Sequence, residues 1–157
     1  MIIINKRNLF FLISVWLLST LLSAQNVTIS TPHTQLLLSV PNGGTPEQLY
    51  YGSRTSDADI RSICETARRR NAYPVYGMGY PCETALSVRH ADGNLTLQMA
   101  VIGVKETRLT KENATLTVIE LKDKVYPFFV NICYKAWQDA DVIETWTEIR
   151  HEEKKPV

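Results

Sequence analysis

Apolar residues recur along this chain in short runs, most of them bounded by Gly, Pro, Asn or Asp, which is the pattern of β-strands separated by turns. The first two runs are Val27 to Ser30 and Leu36 to Val40, the second closed by the turn-forming Pro41-Asn42-Gly43-Gly44. Leu49 to Tyr51 begins a third, ended by Gly52. Ala85 to His90 and Leu95 to Lys105 flank Ala91-Asp92-Gly93-Asn94, where Asp-Gly predicts a hairpin because glycine accepts a positive φ. Ala114 to Lys122, Phe128 to Lys135 and Val142 to His151 complete the series. In the last, Ile143, Thr145, Thr147 and Ile149 share one face; Val142, Glu144, Trp146, Glu148 and Arg150 share the other, so neither face is wholly polar.

One segment has a different period. Ile60, Ile63, Cys64 and Ala67 repeat at helical spacing, predicting a helix over 57–70. Ser56 with Asp59 three residues on approximates a capping box, and Arg68, Arg69 and Arg70 suit the negative end of the helix dipole as a solvated last turn. Many antiparallel strands with one helix predict a mainly all-β fold in which two sheets bury their inner faces against each other.

The first residues stand outside that fold. Lys6 and Arg7 precede an apolar stretch from Leu9 to Leu22 interrupted by Ser14, Ser19 and Thr20, and small residues follow at Ser23 and Ala24. This predicts a signal peptide over 1–24, cleaved after Ala24, and an exported product, periplasmic or extracellular. The rival is an uncleaved anchor, for which the run falls short of the roughly 20 apolar residues that span a bilayer. The domain expected is 25–157, enough for a single core.

Charge adds little: 17 Lys and Arg stand against 16 Asp and Glu, which disfavours nucleic acid as a partner. The three cysteines, Cys64, Cys82 and Cys133, allow at most one internal disulfide; a Cys64 to Cys82 bridge and buried unpaired thiols are both open. His33, His90 and His151 are far apart with no close cysteine pair, so no metal and no cofactor is expected. Nucleophile-elbow and phosphate-loop motifs are absent from the sequence. Glu144 and Glu148 share a strand face but lie about 13 Å apart at the strand rise, too far for either glycosidase geometry. Glu152 and Glu153 point to opposite sides if the strand continues through them, and otherwise belong to a solvated tail.

Unusual residues concentrate in Tyr73-Pro74-Val75-Tyr76-Gly77-Met78-Gly79-Tyr80-Pro81-Cys82-Glu83-Thr84-Ala85-Leu86. Prolines stiffen this loop, glycines permit close approach, and the tyrosines offer apolar rings with a polar tip, a chemistry suited to stacking on sugars. The bland alternative, which the chemistry alone favours, is that the same tyrosines plug the end of the sandwich.

Three stretches carry a family resemblance: Leu49-Tyr50-Tyr51-Gly52; Tyr73 to Leu86 with Ala91-Asp92-Gly93; and Asp141 to Val157, with Asp-Val-Ile-Glu-Thr-Trp-Thr-Glu-Ile. In order and spacing they resemble the N-terminal domain of the family 36 glycoside hydrolases, the bacterial α-galactosidases. The resemblance implies a β-supersandwich, of the galactose-mutarotase type, that precedes a TIM-barrel catalytic domain. It also implies a parent enzyme that hydrolyses terminal α-galactosides with retention, using two barrel carboxylates. No catalytic residue is then expected in this chain, which reads as the truncated N-terminal portion with an unfinished sheet. By the same resemblance Tyr76, Tyr80 and Glu83 are candidates for the rim of a substrate site, which in oligomeric members of the family can be that of a neighbouring subunit in a homo-oligomer. The family loop carries an acidic residue after the second glycine and an arginine before the glutamate, where this chain has Tyr80 and Cys82; the matching glutamate is Glu83. Two other classes compete: a free-standing carbohydrate-binding module using Tyr76, Tyr80 and Trp146, and a structural or adhesive surface protein.

Overall fold

The computed structural model describes residues 25–79, 81 and 83–157. The leader ending at Ala24, and Tyr80 and Cys82 of the aromatic loop, lie outside the described residues. Among those described, no helix is long and apolar enough to cross a membrane.

The described residues form two four-stranded antiparallel sheets. The first holds β1 (Gln25–Ser30), β2 (Thr34–Val40), β3 (Glu47–Ser53) and the two-residue β4 (Arg70–Asn71), in that order. The second holds β5 (Met99–Leu109), β6 (Ala114–Asp123), β7 (Phe128–Trp137) and β8 (Val142–His151), also in chain order. Alternation along the strands explains the core: Val27, Ile29, Leu36, Leu38 and Val40 of the first sheet meet Ile119, Leu121, Val130 and Ile132 of the second in one buried cluster.

The sheets are also fastened by polar groups at one end. Asp141, at φ +54 in the β7–β8 turn, accepts hydrogen bonds from the Thr31 hydroxyl and the His33 amide, while Gln138 Nε2 donates to the Ser30 carbonyl at 3.0 Å. The Thr31 hydroxyl, with the His33 amide, holds the Asp141 carboxyl below its ordinary 3.8. Because the folded value is depressed, this contribution to stability is complete above the unfolded pKa and is lost as pH falls through the folded one. The thermal midpoint should therefore drop as the buffer is taken below about pH 4, and Asp141→Asn should flatten that part of a melting curve followed by circular dichroism.

The helix, α1 (Asp57–Thr66), begins as the sequence predicts. Ser56 Oγ accepts from the Asp59 amide at 3.3 Å and donates to its carboxylate at 2.7 Å. It ends earlier than predicted: Ala67 is extended and its amide closes on Ile63 O at 2.8 Å. The three arginines are therefore not a last helical turn. Arg70 pairs with Gln48 of β3, and Arg69 Nη1 reaches Glu47 Oε2 at 2.9 Å and Ser39 Oγ at 3.1 Å. Pairing with β3 outweighs the local preference to continue the helix.

The predicted hairpin at Asp92-Gly93 forms only at its turn. Gly93 has φ +93, its amide donates to His90 O at 2.8 Å, and the His90 amide donates to Asn94 O at 2.8 Å. Ala85 to His90 is not a strand, and the ladder on the other side starts at Met99 instead of Leu95. The arms separate because their groups have other partners. His90 is buried, Leu97 donates to Tyr76 O at 3.0 Å, and the Gln98 amide goes to the Asp123 carboxylate at 2.5 Å.

Candidate functional site

The aromatic loop is rigid at its base and exposed at its tip. Tyr73 and Val75 are buried in the core cluster. Ala85 N donates to Pro74 O at 2.8 Å, Tyr76 N to Leu86 O at 3.1 Å, and Tyr73 N to the Asn71 side chain at 2.9 Å. Gly77, at φ +96, lies flat on Thr96: a Cβ there would stand 2.5 Å from Thr96 Cγ2 and 3.0 Å from Thr96 Cα. Gly77→Ala is expected to destabilise the domain by about 1–3 kcal/mol through the strained φ and the clash, read as a lower denaturant midpoint.

The loop's tyrosines divide between the two roles the sequence left open. Tyr73 is 8% exposed and acts as the plug; burial pushes its hydroxyl up, partly offset by a hydrogen bond with Thr147. Tyr76 is 49% exposed and Met78 41%, and Glu83 is also exposed. An exposed ring and an exposed carboxylate are the two chemistries that hold a sugar ring. Trp146 is elsewhere. It lines an open groove of about 530 Å³ between the sheets with Leu36, Tyr51, Tyr134 and Ile143, a groove to which neither Tyr76 nor Glu83 contributes. Of the trio expected of a binding module, Tyr76 does not line the groove that Trp146 lines, and Tyr80 lies outside the described residues.

The carboxylates of β8 are held by indoles: Glu144 accepts from Trp137 Nε1 at 3.0 Å and Glu148 from Trp146 Nε1 at 3.3 Å. Cys133 is buried, and burial pushes its thiol up to about 11. Among the described residues no three His, Cys, Asp or Glu side chains converge as a metal site would require.

Sequence reading missed one polar cluster entirely. Glu153, expected in a solvated tail, is buried against His90: its Oε1 lies 2.7 Å from His90 Nδ1, and its Oε2 accepts from the Ala91 amide at 2.9 Å. The His90 ring stacks on Tyr126 at 3.7 Å and meets the edge of Phe128 at 5.9 Å. Burial raises the Glu153 carboxyl, but the Ala91 amide and the His90 ring outweigh it, and the net displacement is below the ordinary 4.5. The pair fixes the exit of β8 to the Asp92-Gly93 turn. His90 and Glu153 are 63 positions apart, and no local pattern marks either.

The family model for the glycosyl hydrolase family 36 N-terminal domain matches residues 44–157. No curated protein matches the chain in sequence. Among solved structures, the α-galactosidase of Lactobacillus brevis is similar at a TM-score of 0.68 and 16% identity, covering 80% of this chain and 21% of that one. A variant of the α-galactosidase AgaA of Geobacillus stearothermophilus, solved with 1-deoxygalactonojirimycin, gives 0.71 at 14% identity, covering 82% and 22%. The galactosidase domain of the α-galactosidase-sucrose kinase AgaSK gives 0.62 at 23%, covering 78% and 21%. The chain thus spans about a fifth of the length of these relatives. With its two antiparallel sheets, its anchored aromatic loop and a match over 44–157, the chain belongs to the glycosyl hydrolase family 36 N-terminal domain family.

Proposed function

We propose that this chain is the non-catalytic N-terminal portion of an exported α-galactosidase-like glycoside hydrolase. In this reading it packs on a catalytic barrel and contributes the Tyr76 to Glu83 loop to the rim of a site for terminal α-galactosides. The observation that carries the reading is the family match over 44–157. The loop supports it: its backbone is pinned to the core while Tyr76 and Glu83 face outward without a partner strand over them. A rigid rim of this kind orients a sugar without supplying a nucleophile or a proton donor.

The purified chain should show no turnover of an aryl α-galactoside, and calorimetry should show no saturable heat with galactose, because a rim alone encloses too little of the sugar. Turnover that persists through repurification would overturn the non-catalytic reading. Export has its own check: N-terminal sequencing of the secreted product should begin at Gln25, and a product retaining Met1 would count against a cleaved leader.

A further inference from the structure

We propose that the cleft between the C-terminal end of α1 and β3 binds a carboxylate-bearing sugar, a uronic acid, with Arg68 and Arg70 holding its carboxylate.

The cleft has a volume of about 430 Å³, which suits a sugar ring better than a bare inorganic ion. Half-buried Ile63 and Ala67 line it together with Tyr50 and the exposed Tyr51, Arg68 and Arg70. All of its lining residues fall between positions 48 and 70, so one contiguous stretch of chain builds the site.

The chain leaves α1 through three consecutive arginines that do different things. Arg69 is engaged with the sheet, its Nη1 reaching Glu47 Oε2 at 2.9 Å and Ser39 Oγ at 3.1 Å. Arg68 and Arg70 line the cleft instead, and among the described residues neither takes part in an ion pair. Alternate residues of an extended chain project to one side, about 6–7 Å apart at the strand rise, so two such side chains can close on a single anion. Two guanidinium groups without a counter-charge repel each other, and an anion between them removes that repulsion. Their planar forks match a carboxylate through paired hydrogen bonds.

The body of a sugar calls for an aromatic face beside the charge. Tyr50 is fixed in place to provide one. Its hydroxyl donates to Ser53 O at 2.8 Å, and the far edge of its ring lies against Gly52, where a Cβ would stand 2.7 Å from that hydroxyl and 3.0 Å from Cζ. A side chain already held this way loses little freedom when a ligand arrives. Tyr51, 63% exposed, adds a second ring.

The assignment is independent of any glycosidase activity. Titrating the isotope-labelled chain with D-galacturonate in low salt, followed by NMR, should give saturable amide shifts confined to residues 48–51 and 63–70, with a dissociation constant on the order of 1 mM. D-Galactose lacks the carboxylate and inorganic phosphate lacks the ring, and each should bind roughly tenfold more weakly or worse. Arg68→Gln and Arg70→Gln should each weaken galacturonate about tenfold. Arg61→Gln, an equal loss of charge at an exposed position of α1 outside the cleft, should change it by less than about twofold. Both cleft arginines are exposed, so their variants should keep the remaining resonances in place. No saturation by about 20 mM galacturonate, equal binding of galactose or phosphate, shifts that map elsewhere, or an equal loss in Arg61→Gln would each overturn the proposal.

Discussion

Truncating Phe128 to alanine is expected to lower the unfolding free energy by about 3–5 kcal/mol, the cost of a large buried ring together with the cavity it leaves. Phe128 is 1% exposed, opens β7, and touches the ring of His90 edge-on at 87°. It therefore supports both the inter-sheet core and the cluster that receives Glu153. Domains are typically stable by about 5–15 kcal/mol, so the variant keeps little in reserve. Urea denaturation followed by tryptophan fluorescence measures the loss. Phe128→Leu, which keeps most of the volume, should cost markedly less, and equal losses for the two would show that the site is not packed as described.

Removing the Asp123 carboxylate should have the next largest effect. The residue is 2% exposed and accepts from three backbone amides: Gln98 at 2.5 Å, Val125 at 2.7 Å and Tyr126 at 2.8 Å. It closes the β6–β7 turn and holds the segment entering β5, so one side chain joins three stretches of chain. Asp123→Ala leaves these donors without an acceptor, at about 1–3 kcal/mol for each that water cannot reach. Val125 is 65% exposed, so its amide recovers part of its loss from solvent, and the net expectation is about 3 kcal/mol. Asp123→Asn retains one acceptor oxygen and should lose much less. Hydrogen exchange separates the donors: Asp123→Ala should expose all three amides, whereas Asp123→Asn, whose one oxygen serves the Val125 and Tyr126 amides and turns its NH2 toward Gln98, should cost protection chiefly at Gln98.

The expected strands fared according to whether their partners were close in sequence. Ala114 to Lys122, Phe128 to Lys135 and Val142 to His151 became β6, β7 and β8, because successive runs separated by short turns can pair directly. Ala85 to His90 failed for a physical reason. Leu86 and Val88 pack against the core cluster, and His90 turns inward to Glu153. Likewise Arg70 left the helix because β3 was available to pair with it. The candidate site was partly legible: the density of Tyr, Pro and Gly marked the loop, while only the packing separated buried Tyr73 from exposed Tyr76.

The sequence by itself determined the strand-rich class, the cap at Ser56, the positive-φ turn at Gly93 and the location of the aromatic loop. Each depends on covalent geometry, side-chain period or hydrogen bonds among near neighbours. Tertiary structure alone decided the Asp141 clamp on Thr31, the burial of Glu153 against His90 and the groove that Trp146 lines between the sheets. Those depend on groups brought together from distant parts of the chain, where hydrophobic burial sets the positions and polar groups must then find partners.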